Sequence, residues 1–569
     1  MKLDTFFDNF GLLADAPNGV QKLREMVLQL AVQGKLVPQD SKDKPASVLL
    51  EKIKAEKERL IKENKIKKPK PLPLIEADEI PFELPFNWVW ARLDTICSYI
   101  QRGKGPKYID DSNIPVISQK CIQWDGFKIE RARFVDPSSI EKYAEERFLQ
   151  TGDLLWNSTG TGTIGRVNVY SHEENHYDLV VADSHVTVVR SIKINPRYSY
   201  IFLASPVVQF GFEERASGTT NQIELNTATV KNQIIAVPPV PEQKRIVSKV
   251  DELMVLCDEL EVRKQKVNKN CIQLNDASIY KLLTAREPTK FSKHWQRICD
   301  NFDLLYSKPK NVTKLRQAIL QLAVQGNLVP QDPKDEPASV LLEKIKGEKE
   351  RLIKEGKIKK AKPLPPIRSG EIPYEIPNGW EWIRLGEMGF TQTGTTPSKS
   401  NPAYFGKYIP FIKPADIFKN SVNYENEGLA KQGLKHGRLI ESNSILMVCI
   451  GGSIGKVNFI ERACSCNQQI NTITLYASIL YNLINYFMRS PYFQNEVVSR
   501  APKTTLPIIS KGKWALIPTP LPPANEQKQI VEKVDGLMAL CDELETSLSK
   551  SQTDCDRLME AVAADILAA

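Results

Sequence analysis

PEQKRIVSKVDELMVLCDELE, residues 241–261, returns near the end of the chain as NEQKQIVEKVDGLMALCDELE, residues 525–545. Both copies run on as proline-free, charge-rich segments. In the first, a seam passes through Ile246, Val250, Leu253, Cys257, Leu260, Lys264, Val267, Cys271 and Leu274. In the second it passes through Ile530, Val534, Leu537, Cys541, Leu544, Leu548, Ser551, Cys555, Leu558 and Val562. The steps alternate four and three, a period of about 3.5 residues held for about four heptads, which predicts a coiled coil. Helices of about 40 residues would be roughly 60 Å long. Two matching seams in one chain are expected to pair with each other. Lys264 and Ser551 interrupt the pattern and mark a part of the pair kept polar for a docking partner.

The duplication reaches further. LREMVLQLAVQGKLVPQD from Leu23 recurs as LRQAILQLAVQGNLVPQD from Leu315, 292 residues on. IPFELPFNWVWARL (80–93) matches IPYEIPNGWEWIRL (372–385) at the same offset, whereas the GluGln helices are offset by only 284. The segments between therefore differ in length by 8 residues. Each arm opens with a helix over Leu23–Val32, which Gly34 can end, and a second from Ala46 to about Glu63. Pro69, Pro71 and Pro73 then make a stiff linker. The middle long helix is followed by an arm, the last one is not, and the missing arm stands at the N-terminus. The order reads as a two-unit ring cut open, with neighbouring ends and pseudo-two-fold symmetry.

The two intervening segments differ in sequence but share landmarks. Each has a glycine turn before a strand-like run, TGTIGRVNVY at Thr161 and GGSIGKVNFI at Gly451. Each then has a Ser-Pro helix start, a Thr-rich loop (ASGTTNQIELN or APKTTLPIIS) and a Pro-rich exit. Alternating Val/Ile and aromatic runs between Gly, Asn and Pro turns predict β-rich mixed domains. The expected class is α+β, two such domains separated by a long antiparallel helical coiled coil. The expected division is an arm at 1–78, a domain at 79–240, a long helix at 241–286, a second arm and linker at 287–370, a domain at 371–524 and a last helix at 525–569.

A chain of 569 residues predicts several domains. No run of 18 apolar residues is present, so no membrane span is expected, and the acidic N-terminus is no secretory signal. Ten cysteines form no CxxC pair; Cys464-Ser465-Cys466 is the nearest thing to one. This usage reads as a reduced, cytosolic protein. A net charge of +9 permits a nucleic-acid partner without demanding one. Catalytic signals are few. There is no GxxxxGK[ST] loop, and the GxGxxG spelling at Gly160–Gly165 leads into a strand-like run and not a helix, so it lacks the dinucleotide-binding context. The Pro-Pro pairs lack the Asn/Asp-Pro-Pro-aromatic pattern of amino-methyltransferases. His172 and His176 lie in a loop-like stretch, so no metal site, no catalytic residue and no cofactor on this chain are expected.

What remains is recognition chemistry. Lys, Arg, Thr, Asn and Gln in loops are the types that meet phosphates and base edges. In the first segment these are Lys104, Lys107, Arg131, Arg133, Asn157, Thr159, Thr161, Arg166, Thr219, Thr220 and Asn221. In the second they are Thr395, Thr396, Lys399, Lys413, Lys435, Arg438, Lys456, Asn467, Gln468, Lys503, Thr504 and Thr505. Trp156 and Trp514 read as core anchors.

The repeated LQLAVQGKLVPQD…ASVLLEKIKAEKERL arm, the ProGluGln…CysAspGluLeuGlu helix and two unlike domains alternating with them closely resemble specificity subunits of type I restriction-modification systems. The Gly-(Thr/Ser)-Ile-Gly turns and GTTPSKSNPAYFGKYIPFIKPADI from Gly394 look like that family's target-recognition domains; the first segment has no close match to the latter. The resemblance implies that each domain reads one half of a bipartite double-stranded DNA target. The helices would fix the spacer and dock two methyltransferase subunits, with two motor-nuclease subunits joining the complex. S-adenosylmethionine, ATP and magnesium would belong to those partners. From the residues alone, an enzyme with its own methyltransferase or nuclease centre and a purely structural coiled-coil scaffold remain alternatives.

Overall fold

Residues 3–8, 10–160, 162–210, 224–476, 479–501 and 506–568 are described in the computed structural model of the chain. They group into two units, residues 1–267 with 552–569, and residues 268–551.

In the first unit two short helices, Leu3–Asp8 and Phe10–Asp15, precede the arm helix Gly19–Val32, which buries Leu23, Met26, Val27, Leu30 and Ala31, the 3.6-period stripe of its sequence. Gly34 ends it in the left-handed region at φ 71°. A side chain there would also meet Pro85 at 2.5 Å. The second helix, Ala46–Lys62, turns Ala46, Leu49 and Ile53 inward. The second unit repeats this pair as Pro309–Val324 and Ala338–Lys354.

Each variable segment starts and ends on one two-stranded ribbon. Val89–Arg92 pairs antiparallel with Ile234–Val237 in the first unit, and Glu381–Arg384 with Pro518–Leu521 in the second. Inside lies a four-stranded antiparallel sheet. Its order in the first unit is Cys97–Arg102, Val186–Ser191, Leu154–Asn157, Val167–Val169. In the second it is Gly389–Thr393, Ile470–Leu475, Ile445–Val448, Val457–Phe459. A smaller sheet carries a parallel pair in each, Val181–Ala182 with Pro115–Ile117 and Ser465–Cys466 with Phe405–Ile412. Two domains without close sequence similarity therefore share the ribbon, the four-stranded sheet and the parallel pair, while among the described residues the smaller sheet has four strands in the first and three in the second; the expected β-rich mixed architecture is present in both. Trp156 and Trp514 are fully buried, as their reading as anchors requires.

The GluGln stretches open helices of 44 and 45 residues, Val240–Leu283 and Ala524–Ala568. Ile246, Val250, Leu253 and Cys257 share the first unit's core with Met559 and Val562, and Leu282 shares the second unit's core with Ile530, Val534 and Cys541. Within each unit the two helices thus contribute opposite ends. Leu260, Leu537 and Leu544 are half-buried on the same stripes.

The 3.5 seam does not run the full length. Leu274 is 39% exposed and Leu558 61%, while their neighbours Asn275 and Met559 are buried. The stripe moves on by one position in both copies. A straight α-helix has about 3.6 residues per turn and drifts by about 20° per heptad against a 3.5 repeat. After the first heptads the next residue faces inward. Cys271 is buried, its thiol donating to Leu304 O at 3.1 Å, and Cys555 is half-buried. Lys264 serves the fold itself: its ammonium donates to the carbonyls of Ala14, at 2.9 Å, and Ala16.

Candidate nucleic-acid interface

The two variable domains are seated by polar clamps that the repeat preserves. Glu242 and Gln243 are buried at the start of the long helix. Trp88 Nε1 donates to Glu242 Oε2 at 3.0 Å, and Gln39 Nε2 to Glu242 Oε1 at 2.7 Å. Gln243 Oε1 accepts from Asn195 N at 2.9 Å, and its amide donates to Pro238 O. The second unit repeats every bond: Trp380 and Gln331 on Glu526, and Gln527 between Leu480 N and Pro522 O. Burial raises the pKa of both glutamates against the pull of their donors. The GluGln pair is therefore a joint between helix, arm and variable domain.

A second clamp holds the linker. Arg92 forks onto Glu79 at 2.8 and 3.0 Å and donates to the carbonyls of Pro73, Leu74 and Asn232. Arg384 forks onto Glu371 and donates to Pro365, Pro366 and Leu516 in the same way. A third joins arm to long helix, Arg24 with Asp258 and Glu261, and Arg316 with Asp542 and Glu545.

Each domain gathers its polar loops where the two sheets meet. Gly103 and Gly394 end the first strand of the larger sheet. A Cβ would lie 2.1 Å from Ala182 O at the first and 2.1 Å from Asn467 O at the second. Only glycine lets these strands pass so close to the loops at 182–185 and 466–469. The glycine turns stand beside them, with Gly160 and Gly165 at φ 97° and 85°, and Gly451 and Gly455 at 94° and 88°. Each turn is held from behind by one amide, Gln209 Nε2 to Gly165 O at 3.0 Å and Gln494 Nε2 to Gly455 O at 2.9 Å.

In the first domain Lys104 is exposed, 5.3 Å from the Tyr143 ring, and Arg133 stacks on Tyr108 at 3.8 Å. Arg131 is exposed. Lys107 is paired with Asp136 at 2.7 Å, and its hydrogen bond holds that carboxyl at about 2. Asn157 is fully buried, donating to Gln119 O at 3.3 Å, so its side chain shapes the loop from inside. Thr159 is also buried and bonds His185 Nδ1 at 2.7 Å. Arg166 donates to Gln123 Oε1 at 2.6 Å and Gly162 O at 2.8 Å. Gln119, Gln123 and His185, unremarked in the sequence, are thus part of this cluster. Their signal is spatial, because they precede or follow the glycine turn by tens of residues. Thr161, Thr219, Thr220 and Asn221 lie outside the described residues.

The second domain brings its candidates closer together. Thr396 Oγ1 donates to Gln468 Oε1, Asn467 Nδ2 donates to Gln469 Oε1 at 2.9 Å, and Arg438 Nη1 donates to Thr393 O at 2.8 Å. Thr395 N donates to Cys466 O at 2.9 Å, so residues 393–396, 438 and 466–469 form one surface. Lys413 is tied to Glu427, while Lys399, Lys435 and Lys456 are exposed. Lys503, Thr504 and Thr505 lie outside the described residues.

The described residues contain no group of side chains suited to a metal. Burial pushes Cys449 and Cys464 up to about 12, so they behave as small apolar groups. No described helix is long and apolar enough to cross a membrane.

Residues 85–269 and 377–551 each match the family model described as the type I restriction modification DNA specificity domain. The chain is 33% identical over 546 residues to the type I restriction enzyme EcoAI specificity subunit of Escherichia coli, covering 92% of this chain and 90% of that one. It is 32% identical over 571 residues to the EcoEI specificity subunit of the same organism, covering 96% and 93%. Among solved structures it resembles the HsdS subunit from Thermoanaerobacter tengcongensis, at 17% identity and a TM-score of 0.43, over 86% of this chain and 98% of that chain. Two copies of the specificity domain on a duplicated frame, with relatives matched over nine tenths or more of both chains, place this chain in the type I restriction-modification DNA specificity family.

Proposed function

We propose that this chain is the sequence-reading subunit of a type I restriction-modification complex and carries no catalytic centre of its own. The observation that supports this best is the pairing of one shared four-stranded sheet and ribbon with two unlike loop sets, in domains each matched by the specificity-domain model. The domain at 79–240 reads one half of a bipartite duplex target, and the domain at 371–524 reads the other. Loops at 104–107, 131–133 and 182–185, and at 394–399, 435–438 and 466–469, present the contacting side chains. The helices at 241–286 and 525–569, with the arms at 1–78 and 287–370, set the spacer and dock methyltransferase subunits. Two of those, joined by two motor-nuclease subunits, bring S-adenosylmethionine, ATP and magnesium chemistry to the DNA in the cytoplasm.

Exchange of residues 93–240 for the same segment of another family member tests this. Methylation mapping of host DNA should show one half of the recognised sequence changed and the other kept. A change in both halves would remove the two-reader assignment. S-adenosylmethionine bound by the isolated chain would remove the adaptor role.

A further inference from the structure

The second unit holds a cavity of about 420 Å³ between the arm helix, the long helix and the reading domain. Four cations line it, Arg316, Lys419, Lys456 and Arg489, and no carboxylate does. Arg316 is 5% exposed. Its Nη2 is engaged by Asp542 at 2.6 Å and Glu545 at 2.9 Å, but its buried Nε has no partner. Arg489 has no hydrogen-bond or ion-pair partner among the described residues. Burial lowers its pKa, and Arg316 beside it lowers it further against the opposing influence of Tyr486. Two guanidinium groups are thus held near each other, one of them unneutralised. The arrangement costs free energy unless an anion completes it. Phe418, 53% exposed, and Met538 supply an apolar wall.

From this cavity we propose a backbone phosphate of the bound DNA as its ligand, held chiefly by Arg489 on the side of the second reading domain. The proposal rests on the DNA-reading function given above. A guanidinium fork suits a phosphodiester's paired oxygens, and the apolar wall suits the adjoining sugar. Lys456, a candidate contact residue by type, follows Gly455 in the glycine turn, so the cavity adjoins the turn that stands beside the loops proposed to meet DNA. The first unit keeps Arg24 where Arg316 stands and Arg166 where Lys456 stands, but it lacks the Arg489 cation. The Ser-Pro helix start puts Ala204 where Arg489 stands, and the arm repeat puts acidic Glu25 where Gln317 stands. A protein partner docking alike on both units would meet unlike chemistry at the two places, which favours DNA over a partner's carboxylate.

Binding of the full chain, in its native complex, to a target duplex and to an unrelated duplex across a salt series tests the assignment. Arg489→Gln should weaken both by a similar factor, roughly tenfold, and lower the salt slope by about one. Arg489→Lys should restore the slope. A methylphosphonate at the contacted position should abolish the difference between wild type and Arg489→Gln. Unchanged affinity and slope in Arg489→Gln, with an unchanged thermal melt, would overturn the proposal. So would loss of partner subunits with DNA binding intact in the complexes that remain, which would point to a protein carboxylate. Protection of the cavity by inorganic phosphate with no effect of Arg489→Gln on DNA would assign a free-anion site instead. A wild-type complex that binds no duplex would overturn the reading function along with this site.

Discussion

The indole of Trp88 donates to Glu242 at 3.0 Å, and 292 residues later the indole of Trp380 donates to Glu526 at 2.8 Å. Both carboxylates are buried and both open a long helix. Trp88→Phe keeps an aromatic ring but removes the donor and part of the buried indole's volume, leaving Glu242 Oε2 short of a partner. The cost should be about 1–3 kcal/mol, read as a lower urea midpoint for the full chain. Trp380→Phe should cost a similar amount. An unchanged midpoint in both would mean the joint is held by packing alone.

Arg24 is more buried than its carboxylate partners, with Asp258 69% exposed and Glu261 47%. Water can replace the guanidinium at those two groups. Arg24→Met should therefore cost only about 1 kcal/mol, less than the tryptophan change. Equal or greater loss in the same denaturation series would contradict this ordering.

The Arg384 clamp gives a pH dependence. Its fork, with the Arg368 backbone N–H, takes the Glu371 carboxyl from 4.5 to about 2. A folded value below the ordinary one adds stability that is complete above about pH 4.5 and fades as pH falls toward 2. Glu371→Gln should lower the denaturation midpoint at pH 7, with the gap to wild type closing as pH falls through that window. A gap constant with pH would show that the carboxylate's charge contributes nothing.

Close approach at Gly103 and Gly394 separates the two readers. A methyl at either position strikes a carbonyl 2.1 Å away and must push back a loop. Overpacking of this kind costs about 1–3 kcal/mol. Gly394→Ala should weaken reading of the second half-site by about tenfold and leave the first intact, and Gly103→Ala should do the reverse. Methylation mapping on half-site variants would show it; equal loss on both halves from either change would refute the assignment.

Lys264 has Leu548 as its counterpart in the other helix copy. Lys264→Leu removes the donor to the carbonyls of Ala14 and Ala16. It should cost about 1 kcal/mol, localised to the N-terminal arm and seen as faster amide exchange over residues 10–16. Protection unchanged there would return Lys264 to a docking role.

Periodicity and repetition by themselves determined much of this protein. Two arms, two long helices and two unlike β-rich segments follow from patterns that depend on local backbone geometry, and such patterns are written in contiguous residues. The bounds of Ala46–Lys62 and the burial of Ile246 to Cys257 were legible for that reason. Tertiary structure decided what depends on residues far apart. The inward stripe leaves Leu274 for Asn275 because helical pitch and the neighbours near residue 304 set it, not the seam's spacing. Asn157 and Thr159 carry contact-type side chains, yet Gln119 and His185 draw them inside. GluGln, an obvious repeat, showed its purpose only when Trp88, Gln39 and Asn195 closed around it. A hydrogen bond between residues 154 positions apart leaves no period in the chain.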